Sequence, residues 1–245
     1  MRNIKLTIEY DGYGFRGWQV QPGERTVQGE MEKAVRQITG EFSRVTAAGR
    51  TDTGVHAVGQ VANVLMNTGY PPAVLKKAFN GNLPRDVRVR KVEEARPGFS
   101  ARYDAWSRTY HYIFFRRETA LWRRYFFPVS CNLDLDAMGE GARELVGKKD
   151  FSSFATSAGG NDNICRVVSC SILPQPPLLT ISITADRFLY NMVRALAGTL
   201  LNIGRGKGAR MKEILAERDR RAAGSTLPPY ALYLMEVRYQ PPGHE

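Results

Sequence analysis

This chain predicts an α+β fold, on three observations. Residues 3–10 alternate apolar and polar side chains, the period of a strand with one buried face. Segments beginning at Thr26 and near Arg187 instead space their apolar residues by three and four, which aligns them on one face of a helix. Short strands and helices are mixed through both halves of the 245 residues, with a similar rhythm in each and no sequence repeat. Such mixing suits α+β layering around a core.

The elements follow in order. In the first strand Ile4, Leu6, Ile8 and Tyr10 face one way and Lys5, Thr7 and Glu9 the other. Thr26 can N-cap a helix, because its side-chain oxygen accepts from an unpaired amide of the first turn. Val27, Met31, Ala34, Val35 and Ile38 share a face of that helix. A loop with no helical period spans 49–57, then an extended segment runs near 57–66. The Pro71-Pro72 pair predicts a second helix, since proline's missing amide costs nothing in a first turn. A strand follows near 87–92. The second half predicts a strand near 108–115 and a helix carrying Leu135, Met138, Ala142 and Leu145, with Gly147 as its C′ stop. Strands follow near 167–173 and 179–185, then a long helix from about Arg187 bearing Phe188, Met192, Val193, Leu196, Leu200 and Leu201, and a last strand near 233–239.

An apolar fraction of 43% with interspersed charge suits a soluble globular protein of one large domain or two smaller ones. The formal net charge is +11, mostly from arginine, and points toward a polyanionic partner. Arginine forks onto phosphate and stacks on bases. Basic clusters recur at Arg116-Arg117, Arg123-Arg124, Lys148-Lys149, 205–210 and 218–221. The cysteines Cys131, Cys165 and Cys170 form neither a disulfide framework nor a zinc pattern and read as buried thiols of a reducing compartment. No apolar run reaches membrane-spanning length, so a cytoplasmic location is expected.

The stretch Gly49-Arg50-Thr51-Asp52-Thr53-Gly54-Val55-His56-Ala57 places one carboxylate between an arginine and glycines. Two readings stand: Asp52 is a surface turn residue, or it meets a substrate with a nearby arginine keeping it ionised. Gly12, Gly14 and Gly17 fit the spacing of a dinucleotide fingerprint, but that mechanism needs the glycines to open a helix. Pro22-Gly23 follows and no helical period starts before Thr26, so the dinucleotide reading is rejected. His56, His111 and His244 lie at no ligand spacing, and no acidic cluster resembles a magnesium site. His56 reads as a structural hydrogen-bonding residue. The aromatic and basic stretch from Phe114 to Phe127 reads mainly as core or interface, though such rings can stack on bases. Tyr110 and Tyr112 share one strand face, where tyrosine packs well or presents its ring to a ligand. Arg187, Asn191 and Arg194 fall at i, i+4 and i+7, a polar stripe that is either solvated or lines a cleft.

The nonapeptide resembles the signature of the tRNA pseudouridine synthase A family. Other blocks resemble that family in its order: Tyr10-Asp11-Gly12, Phe15-Arg16-Gly17-Trp18-Gln19, Thr26-Val27-Gln28-Gly29-Glu30, Asn82-Leu83-Pro84-Arg85-Asp86-Val87, Phe99-Ser100-Ala101-Arg102, Ser107-Arg108-Thr109-Tyr110, Asp150-Phe151-Ser152-Ser153-Phe154, Asn191-Met192-Val193-Arg194 and Leu232-Tyr233-Leu234. They span nearly all of the chain. Four positions depart from the pattern: Tyr230 and Ala231 stand where histidine and glycine are usual, Ser100 where histidine is frequent, and Ile164 where threonine is common.

The resemblance implies a pseudouridine synthase fold, with two ferredoxin-like halves, here 1–103 and 104–245, whose mixed, mainly antiparallel sheets flank a central cleft. It implies a homodimer that isomerises uridine to pseudouridine in tRNA at positions 38, 39 and 40 of the anticodon arm. It makes Asp52 the essential carboxylate, Tyr110 the ring beneath the extruded base, and Arg194 the partner of Asp52. Arg50 and Thr51 are the neighbouring substrate-binding residues, with Arg50 taking the gap left by the base. The isomerisation gains and loses no atoms, so no cofactor is expected. Two alternatives remain: an RNA-binding module without chemistry, and a nucleotide-cofactor enzyme using the Gly12 loop.

Overall fold

In the computed structural model, which describes residues 1–156 and 163–240, the alternating N-terminal segment is strand β1 (Arg2–Tyr10). Its apolar side is wholly enclosed: Ile4, Leu6 and Ile8 expose nothing. Helix α1 (Val27–Thr39) starts as expected, with the Thr26 side chain accepting from the Gly29 amide at 3.3 Å. It buries Val27, Met31, Ala34 and Val35 and ends at Gly40, whose left-handed backbone suits glycine. A short strand β2 (Thr46–Ala47), strand β3 (His56–Met66), helix α2 (Pro72–Asn82) and strand β4 (Val87–Glu94) follow.

Strand β1 pairs antiparallel with β3 on one side and β4 on the other, so Leu6 lies between Ala62 and Val92. Strand β2 adds to β3 at Asn63 and Ala62. This sheet positions the 49–57 loop, which enters β3 directly.

The second unit is Ser107–Leu232. It contains β5 (Ser107–Phe115), β6 (Phe127–Pro128), α3 (Leu135–Glu144), β7 (Gly147–Asp150), β8 (Ile164–Gln175), β9 (Leu178–Ala185), α4 (Met192–Gly204) and α5 (Met211–Glu217). Its strands run in the order β5-β9-β8-β7 and pair antiparallel, with β6 parallel along β5. Helices α3 and α4 pack through small residues. A Cβ on Gly141 would lie 3.2 Å from Leu200, and one on Gly204 would lie 2.6 Å from the Met138 sulfur. The last strand, β10 (Leu232–Arg238), pairs parallel with β3, Tyr233 opposite His56. Residues 233–240 therefore group with Met1–Trp106.

The α+β class is that of the structure, with mainly antiparallel sheets. Four local expectations are corrected. Helix α3 stops at Glu144, and Gly147 opens strand β7 rather than capping the helix. Helix α4 starts at Met192, five residues after Arg187, because Asn191 holds a left-handed backbone with φ of 63°. The stripe of Arg187, Asn191 and Arg194 is therefore not one helix face. Finally, Cys165 and Cys170 are buried but Cys131 is exposed.

Candidate active site

Asp52 sits on a loop whose backbone is fastened at almost every residue. The Ala48 amide donates to the Val61 carbonyl at 2.8 Å, and the Gly49 carbonyl accepts from Gln60 Nε2 at 2.9 Å. The Thr51 carbonyl accepts from the Trp18 amide at 3.0 Å. The Asp52 carbonyl accepts from the Val55 amide at 3.1 Å, closing a four-residue turn with Gly54 at its third position. Gly54 has φ of 78°, a conformation glycine adopts without steric cost.

The 12–17 segment is pressed against this loop. A Cβ on Gly12 would fall 2.0 Å from the Val55 carbonyl oxygen, and one on Gly17 would fall 2.7 Å from the Thr51 carbonyl oxygen. Close backbone approach is what these two glycines supply. Gly12–Gly14 forms one short 3-10 turn rather than opening an α-helix, with the Asp11 side chain accepting from the Tyr13 amide at 3.0 Å.

Within the loop the side chains divide. Arg50 is exposed, Thr51 is buried and Asp52 is half-buried. Thr51 Oγ1 lies 2.7 Å from Tyr10 Oη, inside the protein. Burial pushes the Tyr10 phenol up to about 12, with its bonds to Thr51 and Gln60 working the other way. It stays neutral at physiological pH. Beyond the turn, His56 Nδ1 accepts from the Gly12 amide at 3.1 Å, and its ring stacks on Tyr233 at 4.8 Å between centroids. His56 thus has the structural role its sequence context predicted; His244 lies outside the described residues.

Tyr110 and Arg194 both belong to the second unit. Tyr110 lies on β5 opposite Ile183 and is 8% exposed, and its ring meets Phe188 edge-on at 5.1 Å. Arg194 stands in the first turn of α4, a helix that packs on β5. Its Nε donates to the Leu227 carbonyl at 2.6 Å, and its Nη1 donates to Asn191 Oδ1 at 2.8 Å. Those two acceptors hold the guanidinium in one orientation. Tyr112, on the same face of β5 as Tyr110, donates to the Pro228 carbonyl at 3.0 Å, so the Leu227–Pro228 backbone is gripped by both side chains. Burial raises the Tyr112 phenol well beyond the usual tyrosine range, against a smaller opposing effect of Arg194.

The sequence reading did not find Tyr10, Trp18 or Gln60 as supports of the loop. Gln60 carried the one available signal, a carboxamide within the apolar run of 57–66. It is wholly buried. Among the described residues, no cluster of three or more histidine, cysteine, aspartate or glutamate side chains could hold a metal ion.

The family described as tRNA pseudouridine synthase matches residues 6–104 and 142–240, which include Asp52 and Arg194. The chain is 42% identical over 244 residues to a tRNA pseudouridine synthase A of Caldicellulosiruptor bescii, covering 98% of this chain and all of that protein. It is 40% identical to the Syntrophomonas wolfei protein of the same name, with 98% of each chain covered. It is 41% identical to a tRNA pseudouridine synthase A 2 of Clostridium perfringens, covering 98% of this chain and all of that protein.

Proposed function

This chain belongs to the tRNA pseudouridine synthase family, and from that premise we propose that it isomerises uridine to pseudouridine at positions 38, 39 and 40 of the tRNA anticodon arm. The reaction breaks the bond from uracil N1 to ribose C1′, turns the base, and joins C5 to C1′. C5 then loses its proton and N1 gains one, so the product is an isomer of the substrate. The reacting atoms are shielded in a stacked helix, and the nucleotide has to leave the stack.

The observation that carries this reading is the 49–57 loop. Its backbone is bonded at Gly49, Thr51, Asp52 and Gly54, while Asp52 is only half-buried. A carboxylate on so fixed a frame is suited to nucleophilic attack at C1′ or at uracil C6, or to drawing off the 2′ proton. Arg50, exposed two residues earlier, fills the gap left by the extruded base. Tyr110 lies under that base and assists loss of the C5 proton. Arg194 pairs with Asp52 and keeps it ionised. The basic excess tracks the phosphates, and the protein works as a homodimer in the cytoplasm. Among the described residues no helix is long and apolar enough to cross a membrane.

The test is a purified protein incubated with an unmodified tRNA transcript bearing uridine at these positions, followed by mapping of pseudouridine. Modification confined to the anticodon arm is the expected result. Modification at other positions would overturn the site assignment, and none at all would overturn the activity.

A further inference from the structure

Three side chains behind the Asp52 loop have no part in the chemistry above. Tyr10 comes from β1, Gln60 from β3 and Thr51 from the loop itself. Tyr10 is 3% exposed, Thr51 5% and Gln60 not at all. The Tyr10 and Thr51 hydroxyls are 2.7 Å apart. Gln60 Nε2 donates to the Gly49 carbonyl at 2.9 Å and makes a longer contact of 3.5 Å with Tyr10 Oη. Gln60 Oε1 is buried with no hydrogen-bond partner among the described residues, so the carboxamide acts there through its donor side. The Thr51 carbonyl is held from elsewhere, by the Trp18 amide.

We infer that Tyr10 is a positioning residue for the isomerisation: through Thr51, and with Gln60 on Gly49, it sets where the Asp52 carboxylate stands. This inference rests on the isomerase reading of the loop. The geometry explains why a hydroxyl pair is needed. Thr51 is adjacent to Asp52 in the chain, and its side chain and its carbonyl are both tied to the protein interior. Rotation of that residue would swing the next one. A misplacement of about 1 Å at a reacting group can cost on the order of a hundredfold in rate. Thr51 then serves the reaction from behind the loop and not by touching the RNA with its side chain.

The experiment compares wild-type protein with Tyr10→Phe, Thr51→Val, Thr51→Ser, the double variant Tyr10→Phe/Thr51→Val, and Val35→Ala as a control for general destabilisation in the core of α1. Single-turnover tritium release from tRNA labelled at uracil C5, tRNA affinity and melting temperature are measured for each. Tyr10→Phe and Thr51→Val are each expected to slow release at least tenfold, with affinity within twofold of wild type. The double variant is expected to be no slower than the slower single, because both lose the same contact. Thr51→Ser, which keeps the hydroxyl, is expected to release measurably faster than Thr51→Val. The phenol is held neutral by burial, so the slowed variants should keep the wild-type pH profile. A wild-type rate in Tyr10→Phe, or an equal loss in Val35→Ala at matched melting temperature, would overturn the inference. If Tyr10→Phe does not fold, the contrast of Thr51→Val with Thr51→Ser decides it, equal rates being the adverse result. Absence of release from the wild-type protein would instead defeat the isomerase reading.

Discussion

Tyr110→Phe separates two duties of one ring. The phenylalanine keeps the edge contact with Phe188 and the ring proposed to lie under the base, but has no phenol. If the phenol assists proton removal, turnover should fall by roughly a hundredfold, the lower range for general acid–base groups. Affinity for tRNA should stay within about twofold of wild type, since base stacking does not need the hydroxyl. Arg194→Ala acts differently. If Arg194 pairs with Asp52 as proposed, its loss removes a cation that favours the ionised carboxylate, so activity should fall at all pH values and most steeply at the acid end. A pH–rate profile parallel to wild type would contradict the pairing with Asp52. At this scale the sequence was informative in one direction only. Asp52, Arg50 and Tyr110 stood out because charge, glycine spacing and a strand period frame them, and family resemblance assigned their roles. Tyr10 and Gln60 did not, because a side-chain hydrogen bond from a strand to a loop leaves no periodic trace, and Gln60 showed only as a carboxamide in an apolar run. Across β1 and β3 the register pairs Ile8 with Gln60 and Tyr10 with Ala57, and the Tyr10–Gln60 contact of 3.5 Å lies at the irregularity between them.

Elements were legible where one period dominates. Strand β1 and helix α1 fall within a residue or two of their expected bounds, and Thr26 caps the helix it was expected to cap. Helix α4 was extended too far because Phe188 keeps the apolar spacing, while Asn191 breaks the helix through its backbone and not its hydropathy. Strand β7 and helix α5 are too short or too polar for a period to emerge. Two glycines test the packing of these elements. On Gly17 a Cβ would press on the Thr51 carbonyl, and φ is 84°. Gly17→Ala should cost about 1–3 kcal/mol of stability, and should slow the reaction beyond what that loss explains, because the strained contact is with the Asp52 loop. On Gly198 of α4 a Cβ would lie 2.0 Å from the Ser225 carbonyl oxygen. Gly198→Ala should cost about 1–3 kcal/mol by overpacking, read from denaturant unfolding. An unchanged midpoint in either variant would contradict the close approach.

For the whole molecule, the net charge of +11 ties function to the solvent. Binding of a structured RNA by arginine and lysine releases counterions, so affinity falls steeply with salt. The Kd for tRNA should weaken by at least about tenfold between 50 and 200 mM salt, and a flat response would exclude the electrostatic footprint. The central claim is that one carboxylate performs the isomerisation on a frame that merely holds it. Asp52→Asn tests this most directly, since it keeps the size of the side chain and its capacity for turn hydrogen bonds but not its charge. The measurement is single-turnover tritium release from tRNA labelled at uracil C5, with a tRNA binding curve from the same preparation. The account predicts a folded variant with wild-type affinity and no detectable release; release at the wild-type rate would contradict it.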